Sequence, residues 1–282
     1  MTAAVMPAPG RRARGRPGRR RVGSLTLVAI AVVAIIAGFA TGVLPARRWE
    51  PFLLLSTWTF LGQGLLVTLL IGGVALVASL VIGLPLGMAR AALRGPIGAV
   101  VRVWIELVRA TPILAILIII FLGLPRVGIR LPAVEAAIVG LTIYTSAVLA
   151  EIVRAGIQSI PRGEVEAARS LGLNYLQTMR LIVLPQALSR MTPAIVSQLI
   201  TLIKDTSLAY ILGAQELVGY GRSFFTFYSN LLETYIVLAC IYFAICYSLS
   251  RLSRRLELRQ PTAERIVVTG EADQLAAATA VR

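Results

Sequence analysis

Lys204 and Asp205 stand side by side in LITLIKDTSLAYILG, a stretch with no other charge, and Thr206 and Ser207 follow at once. An ionisable group costs about 2.5–3.5 kcal/mol at the centre of a membrane helix, so it faces a cavity or a partner. Two assignments are open. In one, the residues clamp helices together, through a mutual salt bridge or through Glu151 and Arg154 of an earlier apolar run. In the other, they line a translocation path, where Lys204 meets a solute carboxylate and Thr206 or Ser207 supplies hydrogen bonds. Neighbours at i and i+1 do not face each other on a helix. Each charge therefore needs its own partner, unless the helix breaks at Asp205-Thr206-Ser207.

Other chemistries find little support. The 282 residues include no histidine, which removes His-based catalysis and His-ligated metal. Cys240 and Cys246, six apart in one apolar run, fall on different faces of a helix and fit neither a zinc site nor a disulfide framework. No G-x-S-x-G elbow and no metal-ligand cluster supports an intramembrane enzyme. No G-x-x-x-x-G-K-[ST] phosphate loop is present, so any ATP hydrolysis belongs to a partner.

A second polar stretch, EAARSLGLNYLQTMRLIVLP (Glu166 to Pro185), lies between two apolar runs. Residues 163–171 read as a short helix ending at Gly172, a residue suited to the left-handed position past a helix end. Asn174 can cap a second helix, with Gln177 three residues on completing a capping-box pattern. That helix is expected to stop at Leu184, before Pro185. Ala167 and Ala168 offer a small-residue face, ringed by Arg162, Glu164, Glu166 and Arg169. The pattern fits a helical hairpin between spans, and a rigid capped knob of this kind also suits docking.

The elements that must position these residues are membrane helices. The chain is 57% hydrophobic and 15% charged, with mean hydropathy +0.81, whereas soluble domains carry about 25% charged residues. Its net charge of +15 comes from arginines that flank apolar spans, a pattern of topology and lipid headgroups rather than nucleic acid. Residues 1–23 read as a disordered basic tail and 24–45 as a retained transmembrane anchor rather than a cleaved signal. Residues 46–61, rich in aromatics, read as an outer interfacial linker, and 258–282 as a disordered tail. Between them, spans are expected at 62–88, 111–123, 133–153, 191–215 and 232–250, with Thr111-Pro112 opening the third span of the chain. Arg102, Glu106 and Arg109 share one face of a short interfacial helix before it. By this six-span scheme the tail-side segments hold 22 basic residues and the opposite segments five. The positive-inside rule then puts both termini in the cytoplasm.

The spacing E-A-A, three residues, Gly172, nine residues, Ile182-x-Leu184-Pro185 resembles the EAA loop of bacterial ABC-importer permease subunits at every anchor. VRATPIL, AEIVRAGIQSIPRG, LPQAL and LIKDTSLAYILG are similar to the polar amino-acid branch of that family, and glutamate-importer permeases are the nearest in type. TIYTSAVLAE departs from the family's usual pattern there, which leaves the detailed substrate open. The resemblance implies an all-α integral membrane protein, a five-helix permease core over 62–257 with an extra N-terminal helix. It implies a coupling helix in which Glu166, Ala167, Ala168, Gly172, Ile182, Leu184 and Pro185 meet an ATP-binding-cassette ATPase dimer. A second permease subunit, an extracytoplasmic substrate-binding protein and the bilayer are the other implied partners. ATP and magnesium would sit on the ATPase, with no cofactor on this chain. A secondary transporter or channel working alone is the competing class, and it would be expected to show inverted repeats or several intramembrane charges.

Overall fold

The computed structural model describes residues 41, 42 and 44–258, with side chains to Arg251. The expected basic tail, residues 24–40 of the expected first span and residues 259–282 lie outside them. Two compact units divide the chain between Pro51 and Phe52. In the first, a 3-10 helix begins at Ala46; the second holds everything that follows.

Among the described residues the second unit is helical throughout: α1 (Leu55–Ala92), α2 (Gly95–Ala110), α3 (Ile113–Gly123), α4 (Ala133–Gln158), α5 (Arg162–Ser170), α6 (Tyr175–Leu212), α7 (Leu217–Tyr228) and α8 (Leu231–Leu258). Four of these, α1, α4, α6 and α8, are long and apolar enough to cross a membrane. The pair α2 and α3, bent by 100°, makes a fifth if counted as one broken span. The bend falls at Thr111-Pro112, where proline forces the preceding residue out of helical geometry; Thr111 has ψ 131. Thr111 does not open α3 as its position suggested. Its hydroxyl donates to the Leu107 carbonyl (2.8 Å) and closes α2, and Pro112 caps α3.

α1 begins seven residues before the expected span, because nothing between Leu55 and Gly62 breaks a helix. Its 38 residues rise about 57 Å at 1.5 Å each, well beyond a ~30 Å hydrocarbon core. One side of it presents Leu66, Leu70, Val77 and Val81 outward, as lipid contact requires. The other side packs on α4 through bare backbone. A Cβ on Gly87 would lie 2.5 Å from the Val153 Cβ and 2.6 Å from the Ala150 carbonyl oxygen. Small residues at such a crossing gain van der Waals contact where apolar burial drives little association. Ile71, Ala75, Leu117, Ala137, Leu141 and Leu202 close the core among α1, α3, α4 and α6.

Pro185 does not end its helix. Met179–Val183 forms a π-helical turn, after which α-helix runs from Leu184 to Asp205 with Pro185 in its first turn. Proline lacks the N–H that a continuing ladder needs, and the widened turn just before it lets the chain carry on.

Candidate functional site: the capped corner and the polar clusters

Helix α5 begins after Pro161 and ends in a Schellman motif. The Leu173 N–H donates to the Ala168 carbonyl (3.2 Å) and the Gly172 N–H to that of Arg169 (2.9 Å). Gly172 takes φ +82, the left-handed region, and no atom lies within 4 Å of where its Cβ would be. Two residues on, Asn174 Oδ1 accepts from the Gln177 N–H and Gln177 Oε1 from the Asn174 N–H, each at 2.9 Å. This is the reciprocal box read from the sequence. The corner is fastened to the bundle by Gln186, which donates to Glu164 (3.4 Å), and by Arg190, which donates to the Ser159 carbonyl (2.6 Å).

The seven corner residues divide by exposure. Ala168 is buried, Ile182 and Leu184 are half-buried, and Glu166, Ala167, Gly172 and Pro185 are exposed. Ala168 thus faces inward, while Glu166 and Ala167 face out. Beside them Leu171 is 83% and Leu176 73% exposed. Both leucines thus add exposed apolar surface to a polar corner. They escaped the sequence reading, although two leucines flanking a capped turn were a usable signal.

Lys204 and Asp205 make no ion pair with each other among the described residues. Helix α6 changes from α to 3-10 winding between Asp205 and Thr206, the break that the sequence left open. Thr206 is buried, donates to the Ile203 carbonyl (2.7 Å), and packs its methyl toward Gly72. Ser207, half-buried, donates to the Lys204 carbonyl (2.7 Å). Both hydroxyl protons are therefore spent within the helix. Lys204 is exposed and Asp205 is half-buried.

Glu151 is not a partner for Lys204. Its carboxylate is taken by Arg90 (3.1 Å), Arg109 (3.7 Å) and Arg154 (3.0 Å). Arg90 reaches on to Glu106 (3.1 Å). Five charged residues from α1, α2 and α4 are joined in this way.

A buried carboxylate that sequence reasoning passed over anchors the start of α7. Glu216 accepts from the Val218 and Gly219 N–H groups (3.0 Å each), from Thr68 (3.3 Å) and from Tyr242 (3.2 Å). Thr68 in turn accepts from the Leu217 N–H at 3.0 Å. One side chain caps α7 and ties it to α1 and α8. The segment between the spans expected at 191–215 and 232–250 is therefore mostly this helix, with the Phe224 and Phe52 rings tilted against each other at 5.0 Å between centroids. Next to it a cavity of about 570 Å³ is lined by Tyr210, Gln215, Arg222, Ser223 and Thr226 among others. Arg222 donates to the Tyr210 hydroxyl there at 2.6 Å.

Residues 79–260, which carry the corner, the Lys204 and Glu151 clusters and α7, match the model for the binding-protein-dependent transport system inner membrane component. The chain belongs to that family. The permease is 44% identical over 211 residues to the probable glutamine ABC transporter permease protein GlnP of Bacillus subtilis, covering 71% of this chain and 94% of that one. It is 35% identical over 240 residues to the glutamate transport system permease protein GluD of Corynebacterium glutamicum, covering 83% and 88%. In structure it resembles a chain from a crystal structure of an amino acid ABC transporter with histidines. The TM-score is 0.69 at 33% identity, covering 72% of this chain and 94% of that one. A chain of the MetNI methionine ABC transporter in an inward-facing conformation gives TM-score 0.60 at 25% identity, covering 72% and 99%. The permease is thus a multi-pass membrane subunit of a transport system rather than an enzyme, and family membership favours this over a transporter working alone.

Proposed function

We propose that the permease forms half of the pore of an importer for polar amino acids, glutamine or glutamate in type. It is moved by a separate ATPase dimer bound at the corner between α5 and α6. The capped corner carries this reading: its shape is fixed by the left-handed Gly172, and Glu166, Ala167, Leu171 and Leu176 stand outward from it. A protrusion held rigid on its own backbone and exposing apolar surface transmits a push without absorbing it. ATP and magnesium bind the ATPase. A second permease, identical or related, completes the pore, and a binding protein outside delivers the solute.

The arginine asymmetry supports cytoplasmic termini, which puts the corner on the ATPase side. Lys204, exposed and without an ion pair among the described residues, is the cation offered to a solute carboxylate in the shared path. Asp205 and Ser207 lie beside it, and Thr206 holds the helix from behind. Glu151 serves to bind helices together. The test is uptake by proteoliposomes holding permease, ATPase and binding protein, offered a panel of labelled amino acids. ATP-dependent accumulation of glutamine or glutamate supports the proposal; ATP-dependent uptake of none of the polar amino acids refutes it.

A further inference from the structure

The charge network around Glu151 opens onto a polar cavity of about 380 Å³ lined by Arg90, Arg102, Glu106, Arg154 and Gln158. With Arg109, four guanidinium groups stand against two carboxylates, Glu106 and Glu151; three of them pair with those carboxylates, and two positive charges stay uncompensated. Arg102 supplies the clearest excess, for it makes no ion pair among the described residues. Helix α2 carries this polar edge and buries Ile105 and Val108 against the bundle. Its remaining side exposes Val100 (69%), Val103 (61%), Trp104 (49%) and Leu107 (61%). A helix with basic residues along one edge and an exposed apolar side with tryptophan lies in the plane of a membrane interface. The apolar side enters the acyl region and the basic edge meets headgroups.

We infer that the cavity holds the phosphate of an anionic phospholipid, whose acyl chains lie along the exposed face of α2. This rests on the orientation proposed above, which turns α2 to the cytoplasmic leaflet. The exposed apolar side selects a lipid over soluble phosphate, since only a lipid covers it as well as filling the cavity. Basic pockets between membrane helices take anionic headgroups in this way. The Glu106 carboxylate also lines the cavity and repels a phosphate. Its partner Arg90 holds it at 3.1 Å, and Arg154 is engaged by Glu151 and Gln158, leaving Arg102 to face the ligand. A lipid there joins α1, α2 and α4 at the end of the bundle nearest the corner.

The permease–ATPase complex in detergent is titrated with dioleoylphosphatidylglycerol, dioleoylphosphatidylcholine or inorganic phosphate, and the permease melting transition is followed. Phosphatidylglycerol should raise the transition, while phosphatidylcholine and millimolar phosphate should not. Arg102→Gln should weaken the phosphatidylglycerol response about fivefold, the worth of one basic residue near an anionic surface. It should leave the lipid-free transition unchanged, since Arg102 has no ion pair to lose. Arg102→Lys, which keeps the charge, should restore most of the response. An equal response to both lipids, an effect of inorganic phosphate matching that of phosphatidylglycerol, or an undiminished response in Arg102→Gln overturns the inference. The readout needs no transport, so it stands apart from the choice of solute.

Discussion

Within the permease, replacing Gly172 acts first on its backbone. Its φ of +82 is a conformation that L-residues reach at a cost of about 1–2 kcal/mol. Beyond its chain neighbours, nothing in the permease lies within 4 Å of its missing Cβ, so within the permease itself the backbone term dominates. Asn tolerates this region, Ala pays the ordinary cost, and Val, being β-branched, is a true outlier there. A penalty of 1–2 kcal/mol shifts the balance between the formed and unformed corner by a factor of roughly 5–30. If the ATPase binds only the formed corner, its apparent affinity falls by up to that factor. The assay is binding of purified ATPase to reconstituted permease, with uptake and ATP hydrolysis measured on the same samples. Coupling should decline in the order Gly, Asn, Ala, Val, while membrane insertion and the melting of the bundle stay nearly constant. Equal affinity and uptake in Gly172→Val would refute the reasoning, because the backbone penalty there is unavoidable.

Glu216→Ala leaves two N–H groups, Thr68 and Tyr242 without their acceptor, and each unsatisfied buried group costs about 1–3 kcal/mol. A large fall in melting temperature is expected, smaller in Glu216→Gln, which keeps one acceptor oxygen; thermal unfolding in detergent measures both. Lys204→Met should cut uptake severely and leave the melting temperature within error, because no ion pair is broken; a loss of stability instead would show that Lys204 clamps helices. Ser223→Cys, in a background without Cys240 and Cys246, should react with an impermeant thiol reagent applied outside intact cells. Labelling only after the membrane is opened would reverse the orientation.

What was legible in the sequence is what is local. Gly172, Asn174 and Gln177 specify the corner with contacts spanning three to five residues, so the motif could be read directly. The all-helical class followed from long apolar runs in the same way. Pro185 misled because its effect depends on the turn before it, and nothing in MRLIV announces π winding. Glu216 was invisible for a different reason. It sits next to α7 in sequence, but its meaning comes from Thr68, 148 residues earlier, and from Tyr242 on another helix. Glu151 shows both cases at once: Arg154 is one turn away and could be paired by spacing, whereas Arg90 is 61 residues off. The substrate path is hardest to read, since the proposed pore is shared with a second permease and is not encoded in one helix.

The claim that the corner docks the ATPase has one direct test. A cysteine at Ala167, exposed on the outer face of α5, is placed in a permease lacking Cys240 and Cys246 and mixed with its ATPase in membranes. The ATPase carries single cysteines introduced in turn over its surface. Oxidation should give one short-range disulfide between subunits, confined to a single groove of the ATPase, and its yield should change when ATP is bound. A control cysteine at Val81, which faces outward from α1, should give none. Cross-linking at Val81 but not at Ala167, or none at Ala167 in an assembled and active complex, would contradict the account.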